Sequence, residues 1–261
     1  MCGIAGIVGN VNPQKASTIL YLLQTYGEDA TGVAFKHKDN EKFYVYKGPL
    51  PAEEVLRDPV YEKFVQKHAE ESNLTLLHCR LATHGSPLNN DNNHPIFSNN
   101  SMIIHNGIVH LPEMFKNARG KTDTEQLLLY IDKYGLEKAL EKAIGSVSIA
   151  YTELESNTLW LYTNTGALNM GQTKGALYFC TSKAILSLYS RPQALQSYWL
   201  YSVNLSTRAI RKEKHICPPR YSRRHERFWD NTQTSDEYSW PSELYLSSGK
   251  RITGDFQEEL L

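Results

Sequence analysis

Apolar residues recur along this chain with two alternating periods, and the alternation predicts its elements. Short runs of β-branched, aliphatic and aromatic residues read as strands over residues 4–8, 31–37, 43–47, 74–78, 101–105, 147–152, 158–162, 177–181, 198–203 and 209–211. Between them the period lengthens. Ile19, Leu22, Leu23 and Tyr26 fall on one face of a helix expected over 12–26, which Gly27 stops. A second helix is expected over 53–69 and a short one over 182–189. Thr122-Asp123-Thr124-Glu125 has capping-box spacing, with Thr122 and Glu125 closing the first turn of a helix whose inner face is Leu127, Leu128, Ile131 and Tyr134. That assignment fixes Asp123 at a helix N-terminus. Residues 82–100 are rich in Gly, Pro and Asn and read as a loop. Strands outnumber helices and follow one another through short hairpins. The order therefore predicts an α+β chain of antiparallel sheets covered by helices, not a parallel doubly wound sheet.

Charge and composition narrow the functional classes. The 261 residues are 41% hydrophobic, enough for one well-filled core. Lys+Arg and Asp+Glu both total 28, so no global field would recruit a nucleic acid or a membrane surface. No apolar run reaches the roughly 18 residues of a membrane span. The N-terminus lacks the basic start and apolar stretch of a signal peptide, and a cytoplasmic protein is expected. Cys2, Cys79, Cys180 and Cys217 are widely spaced without a C-x-x-C pair, so neither a disulfide framework nor a zinc site is expected. The histidines form no compact ligand pattern, and neither metal nor cofactor is predicted.

Cys2 lies directly behind Met1. Removal of Met1 would put a thiol and a free α-amine on one residue, and an amine of pKa roughly 7.7–8.0 can take the thiol proton near neutral pH, directly or through one water. Retention of Met1 would turn that amine into an amide and abolish the base. By itself Cys2 also reads as the start of a buried strand. Three further segments carry candidate chemistry: His78-Cys79-Arg80-Leu81-Ala82-Thr83-His84-Gly85, Asn93-His94-Pro95 and His105-Asn106-Gly107-Ile108. Taken singly, their residues have plainer readings. Arg80 could form a surface ion pair, Asp123 could only favour a helix dipole, and Asn106-Gly107 could be a turn after a strand.

In order and spacing, these segments resemble the class II glutamine amidotransferase domain, an N-terminal-nucleophile hydrolase fold. Cys2-Gly3-Ile4-Ala5-Gly6, Gly27-Glu28-Asp29-Ala30-Thr31-Gly32 and Thr122-Asp123-Thr124-Glu125 extend the match over roughly the first 200 residues. The resemblance implies a four-layer αββα sandwich and hydrolysis of L-glutamine. Cys2 is implied as the nucleophile that forms a γ-glutamyl thioester, with the Asn106 side-chain amide and the Gly107 N–H as oxyanion donors. Arg80 is implied as the clamp on the α-carboxylate and Asp123 as the acceptor of the α-ammonium. Thr83 and His84 complete the pocket through hydroxyl and backbone contacts, His94 is structural, and His105 supports its strand. Two positions depart from the pattern. Tyr26 stands where the family usually has arginine, which bears on how the nucleophile loop is braced, and Leu81 replaces an aromatic residue found in some branches. Cys79 points to the other face of an extended segment from Arg80 and receives no role.

The motifs place this domain at residues 1–216 and leave 217–261 as a C-terminal extension that docks a partner or packs on the domain. There Arg220, Arg223, Arg224 and Arg227 interleave with Tyr221, Phe228 and Trp229, a stretch that could dock a partner or touch a nucleic-acid backbone, although its composition favours a surface tail with no ligand. No synthase domain fits in the chain. The expectation is therefore a glutaminase in standalone form that supplies ammonia to a separate synthetase. A γ-glutamyl amide hydrolase of a small metabolite and a catalytically inactive scaffold of the same fold are the alternatives left open.

Overall fold

The computed structural model describes residues 2–38 and 42–217, so the Arg220–Arg227 cluster and the rest of the extension past Cys217 lie outside the described residues. In chain order the first elements are β1 (Gly3–Gly9), α1 (Pro13–Leu23), β2 (Ala30–His37), β3 (Phe43–Gly48), α2 (Ala52–Val55), α3 (Pro59–His68) and β4 (Ser72–Arg80). Next come β5 (Ile96–Phe97), β6 (Ser101–His110), α4 (Asp123–Tyr134), α5 (Leu136–Lys142), β7 (Ile144–Glu153) and β8 (Thr158–Thr163). The last are β9 (Asn169–Gln172), β10 (Ala176–Cys180), α6 (Lys183–Ser187), β11 (Gln193–Ala194), β12 (Trp199–Asn204) and β13 (Ile210–His215).

Seven strands form one sheet in the order β11-β9-β10-β1-β4-β2-β3, and six form a second in the order β13-β12-β8-β7-β6-β5. The pairings are antiparallel. β1 lies in the middle of the first sheet and is buried along its whole length. Its side chains alternate as a strand requires: Ala5 and Ile7 face a core shared with α1, α3 and α6, while Ile4 and Val8 face the space between the sheets. A third apolar cluster fills the gap between the second sheet and α4 with α5. Three apolar layers thus separate helix, sheet, sheet and helix, which is the αββα sandwich. Central strands covered on both faces read as continuous apolar runs, which explains why Ile4-Ala5-Gly6-Ile7-Val8 shows no polar alternation.

Several expectations change in detail. The helix expected over 53–69 is broken in two, because Pro59 has no N–H to continue an incoming helix. It sits instead in the first turn of α3, where Asp58 Oδ1 accepts the Val60 N–H at 2.8 Å. The strand expected over 101–105 runs on to His110 through Asn106 and Gly107, which overturns the turn reading of that dipeptide. Tyr134 is 40% exposed and does not belong to the inner face of α4. The capping box is half formed. Thr122 Oγ1 accepts the Glu125 N–H at 3.2 Å, but the Glu125 carboxylate accepts from the N–H groups of Arg119 at 2.8 Å and Gly120 at 2.7 Å. The loop that precedes α4 competes for that carboxylate and wins it.

Candidate active site

Cys2 is the residue before β1, and register chooses its neighbours. Gly3 pairs with Cys79 on β4, which brings Arg80, the last residue of β4, alongside Cys2. The Cys2 Sγ points at the Leu81 carbonyl at 3.4 Å. A Cβ at Gly3 would stand 2.9 Å from Leu23 Cδ2 and 3.2 Å from Tyr26 Cβ. The segment that follows Cys2 therefore packs closely against the end of α1 and Tyr26. Cys79 lies on the opposite face, its Sγ directed at the Leu20 carbonyl under α1, and burial pushes its thiol up to about 12. Cys180 is likewise buried on β10 and pushed up to about 12.

Arg80 is buried, and much of its guanidinium is committed. Nη1 donates to Asn93 Oδ1 at 2.8 Å, and Nη2 donates to the carbonyls of His84 and Gly85, the latter at 2.7 Å. Of five N–H donors, three are given to Asn93 and to the His84 and Gly85 carbonyls, and two are uncommitted among the described residues. Thr83 and His84 are joined side chain to side chain at 3.2 Å in that same loop. Asp29 fixes the main chain on either side of Leu81: its N–H donates to the Arg80 carbonyl at 3.0 Å and its Oδ2 accepts the Ala82 N–H at 2.7 Å. Gly27 permits this approach, since a Cβ there would lie 2.3 Å from the Arg80 carbonyl carbon. Sequence reasoning gave Asp29 and Asn93 no task. Their positions within the quoted segments were visible, but their partners are 53 and 13 residues away.

Asn106 and Gly107 lie on β6 opposite Ser148 and Val147 of β7. Asn106 is buried, and its side-chain oxygen has no hydrogen-bond partner among the described residues. Gly107 has φ +147°, and a Cβ would fall 1.9 Å from the Ser146 carbonyl oxygen, so the position excludes every side chain. Asp123 opens α4, with Oδ2 accepting the Val109 N–H at 2.8 Å and Oδ1 the Thr124 N–H at 2.9 Å. His105 ties the same helix start to the strand, its Nδ1 lying 3.0 Å from Thr124 Oγ1. His94 Nδ1 accepts the His105 N–H at 3.4 Å, and the His94 ring packs on His78 at 4.1 Å between centroids.

The charges converge. Burial pushes the Cys2 thiol above its ordinary value; the Arg80 guanidinium opposes that rise and the Asp123 carboxylate adds to it. Burial lowers Arg80, while Cys2, Asp29 and Asp123 all favour its charged form. A thiol, a cation and an anion thus lie within one another's fields, where the low surrounding dielectric strengthens each interaction. Among the described residues no group of three His, Cys, Asp or Glu side chains is placed to hold a metal ion.

A two-sheet αββα sandwich with a cysteine at the head of its central strand is an N-terminal-nucleophile hydrolase fold. No protein-family model matches the chain. Curated relatives do. The chain is 33% identical over 168 residues to the isomerizing glutamine–fructose-6-phosphate aminotransferase of Caldanaerobacter subterraneus subsp. tengcongensis, covering 58% of this chain and 26% of that one. It is 29% identical over 195 residues to the enzyme of the same name from Staphylococcus epidermidis, covering 67% of this chain and 31% of that one. Among solved structures, the glutamine phosphoribosylpyrophosphate amidotransferase of B. subtilis superposes with a TM-score of 0.64 at 16% identity, over 82% of this chain and 49% of that one. A glutamine aminotransferase class-II domain protein from Silicibacter pomeroyi superposes with a TM-score of 0.55 at 18% identity, over 83% of this chain and 100% of that one. At those identities the structural likeness is one of fold. The chain is thus similar to glutamine amidotransferases in sequence over part of its length and in fold, and it spans about a quarter to a third of the length of the two curated relatives, 26% and 31%.

Proposed function

We propose that this domain hydrolyses the side-chain amide of free L-glutamine through Cys2 once Met1 has been removed. The observation that carries the reading is the β1–β4 register that sets Cys2 beside the Arg80 cation, with the Asp123 carboxylate acting on both, since glutamine presents a carboxylate and an ammonium at the end remote from its amide. Arg80 receives the carboxylate with its uncommitted donors and Asp123 receives the ammonium, which selects a free amino acid over a glutamine within a peptide. Thr83 and His84 complete the wall of the pocket.

In the reaction the α-amine of Cys2 takes the thiol proton and the thiolate attacks the amide carbon. A C–S bond forms and the carbonyl oxygen becomes an oxyanion, to which the Asn106 side-chain amide and the Gly107 N–H donate. The ammonium so formed on Cys2 returns its proton to the departing nitrogen, the C–N bond breaks, and ammonia leaves behind a γ-glutamyl thioester. Water then attacks the thioester carbon, releasing glutamate and restoring the thiol. Because the resting thiol is held protonated by burial, the adjacent base is essential to this scheme.

The aminotransferase names of the curated relatives support transfer of the ammonia over its simple release, and we assign the acceptor to a separate synthetase. The catalytic unit is taken to end at Ile216, whose buried main chain accepts the Tyr162 hydroxyl at 3.0 Å, with the 217–261 extension assigned to docking or packing. The test is to incubate the purified chain with glutamine and quantify glutamate and ammonia, then map labelling by a glutamine-like electrophile. Turnover with label on Cys2 is expected. Turnover of another γ-glutamyl amide but not of glutamine, or label on Cys79 or Cys180, would reject the assignment.

A further inference from the structure

We propose that Lys47 is a positioning residue for this site: it fixes the main chain at Asn93, and the Asn93 side chain in turn fixes the Arg80 guanidinium. The proposal rests on the glutamine reading above and adds a residue from the far edge of the first sheet, where no chemistry-bearing motif drew attention to it.

A lysine on an edge strand ordinarily carries its head into water, where it also discourages strand pairing. Lys47, on β3, turns inward and is buried. Its Nζ donates to the Asn93 carbonyl at 2.7 Å and to the Pro95 carbonyl at 3.0 Å, and lies 5.0 Å from the centroid of the Phe97 ring. Its own carbonyl accepts Asn90 Nδ2 at 3.1 Å. One residue thus holds both ends of the 90–95 segment. The cross-strand neighbour of Lys47 is Gly32, and a Cβ there would fall 1.8 Å from the His94 carbonyl oxygen. The absence of that side chain lets the segment lie directly on β2 and brings its carbonyls to Lys47.

Asn93 transmits the constraint because it has no freedom left. It is fully buried; Oδ1 accepts from Arg80 at 2.8 Å, and Nδ2 donates to the Pro87 carbonyl at 2.7 Å and to Asn90 Oδ1 at 3.1 Å. A displacement of its main chain must therefore move the Arg80 contact. Burial brings the Lys47 ammonium down to about 7, with Arg119 and Arg80 acting in the same direction and Asp91 and Glu125 against it. Buried His78 and His94 complete the ionisable surroundings and are held neutral by that burial. A neutral amine keeps two N–H donors, which match the two carbonyl acceptors. The contact accordingly survives loss of the proton and should hold on either side of neutrality.

The experiment compares two alkylating reagents on Cys2 in the full chain. One is a diazoketone analogue of glutamine bearing the α-carboxylate and α-ammonium; the other is iodoacetamide, which bears neither. K47M is expected to slow inactivation by the diazoketone by about tenfold while leaving alkylation of the Cys2 peptide by iodoacetamide within about twofold. In glutamine hydrolysis, KM should rise by about tenfold with a smaller change in kcat. N93A, which leaves both Lys47 acceptors in place, should show the same split, and the double variant should be no worse than the worse single one. K47Q keeps an amide donor and should fall between K47M and the wild type; it is read in place of K47M if the latter fails to fold. Equal loss with both reagents, no loss with the diazoketone, or multiplicative effects in the double variant would overturn the proposal. Failure of the wild type to react at Cys2 with either reagent would instead sink the glutamine reading itself.

Discussion

Asp123 accepts the Val109 main-chain N–H at 2.8 Å, and this bond ties the first turn of α4 to the strand that carries Asn106 and Gly107. The residue assigned to the substrate ammonium is thus part of the same rigid unit as the residues assigned to the oxyanion. Asp123→Ala should lose glutamine hydrolysis by at least about 10²-fold. Leaving the buried Val109 N–H unpaired should also cost about 1–3 kcal/mol, read as a lower urea midpoint. Asp123→Ala with normal KM and kcat would contradict the role.

Cys2→Ala should abolish hydrolysis and leave the thermal midpoint within a few degrees, because the thiol's hydrogen bond to the Leu81 carbonyl is long, at 3.4 Å, and the half-buried side chain lies outside the apolar clusters. Intact mass should report a chain lighter by one methionine residue in active protein. Active protein that retains Met1 would remove the proposed base.

Asn106→Ala separates chemistry from folding. The side-chain oxygen it removes is buried without a partner among the described residues, so stability should change little, whereas loss of an oxyanion donor should lower kcat by about 10²–10³-fold. Gly107→Ala should behave in the opposite way, since its methyl group would meet the Ser146 carbonyl oxygen at 1.9 Å and soluble folded protein should be scarce. Comparable thermal melts for the two variants would show that the strand geometry at Gly107 is not as constrained as it looks.

Acid should unfold the domain early. His78, His94 and His105 are buried, and burial, the leading cause for each, lowers their proton affinity below the ordinary 6.5, to about 3 for His78. The unfolded chain therefore binds these protons and the folded chain does not. Stability is fully present above about pH 6.5 and is lost as pH falls toward the folded-state values, by up to about 1.4 kcal/mol per pH unit for each histidine. Urea midpoints measured from pH 7.5 down to 5 should fall steadily, and His78→Asn should flatten the slope. A midpoint independent of pH over that range would refute the histidine assignment.

The sequence by itself determined antiparallel sheets covered by helices, and the resemblance its motifs carry implied the four-layer arrangement and the candidate groups. Short apolar and β-branched runs gave β1, β2 and β4, helical spacing gave α1 and α4, and Thr122 with Asp123 marked the helix start correctly, because these signals reside in neighbouring residues. It also named Cys2, Arg80, Asn106 and Asp123 as members of one ordered set. What it did not determine was how they are held. The break at Pro59, the capture of the buried Glu125 carboxylate by the Arg119 and Gly120 N–H groups, the packing of Tyr26 near Gly3, and the roles of Asp29, Asn93 and Lys47 all depend on partners that compete for a bond or a space. Lys47 and Asn93 are 46 residues apart. Only the folding of β3 against the 90–95 segment brings two carbonyls to a lysine head that burial has taken out of water, and no local pattern encodes that juxtaposition.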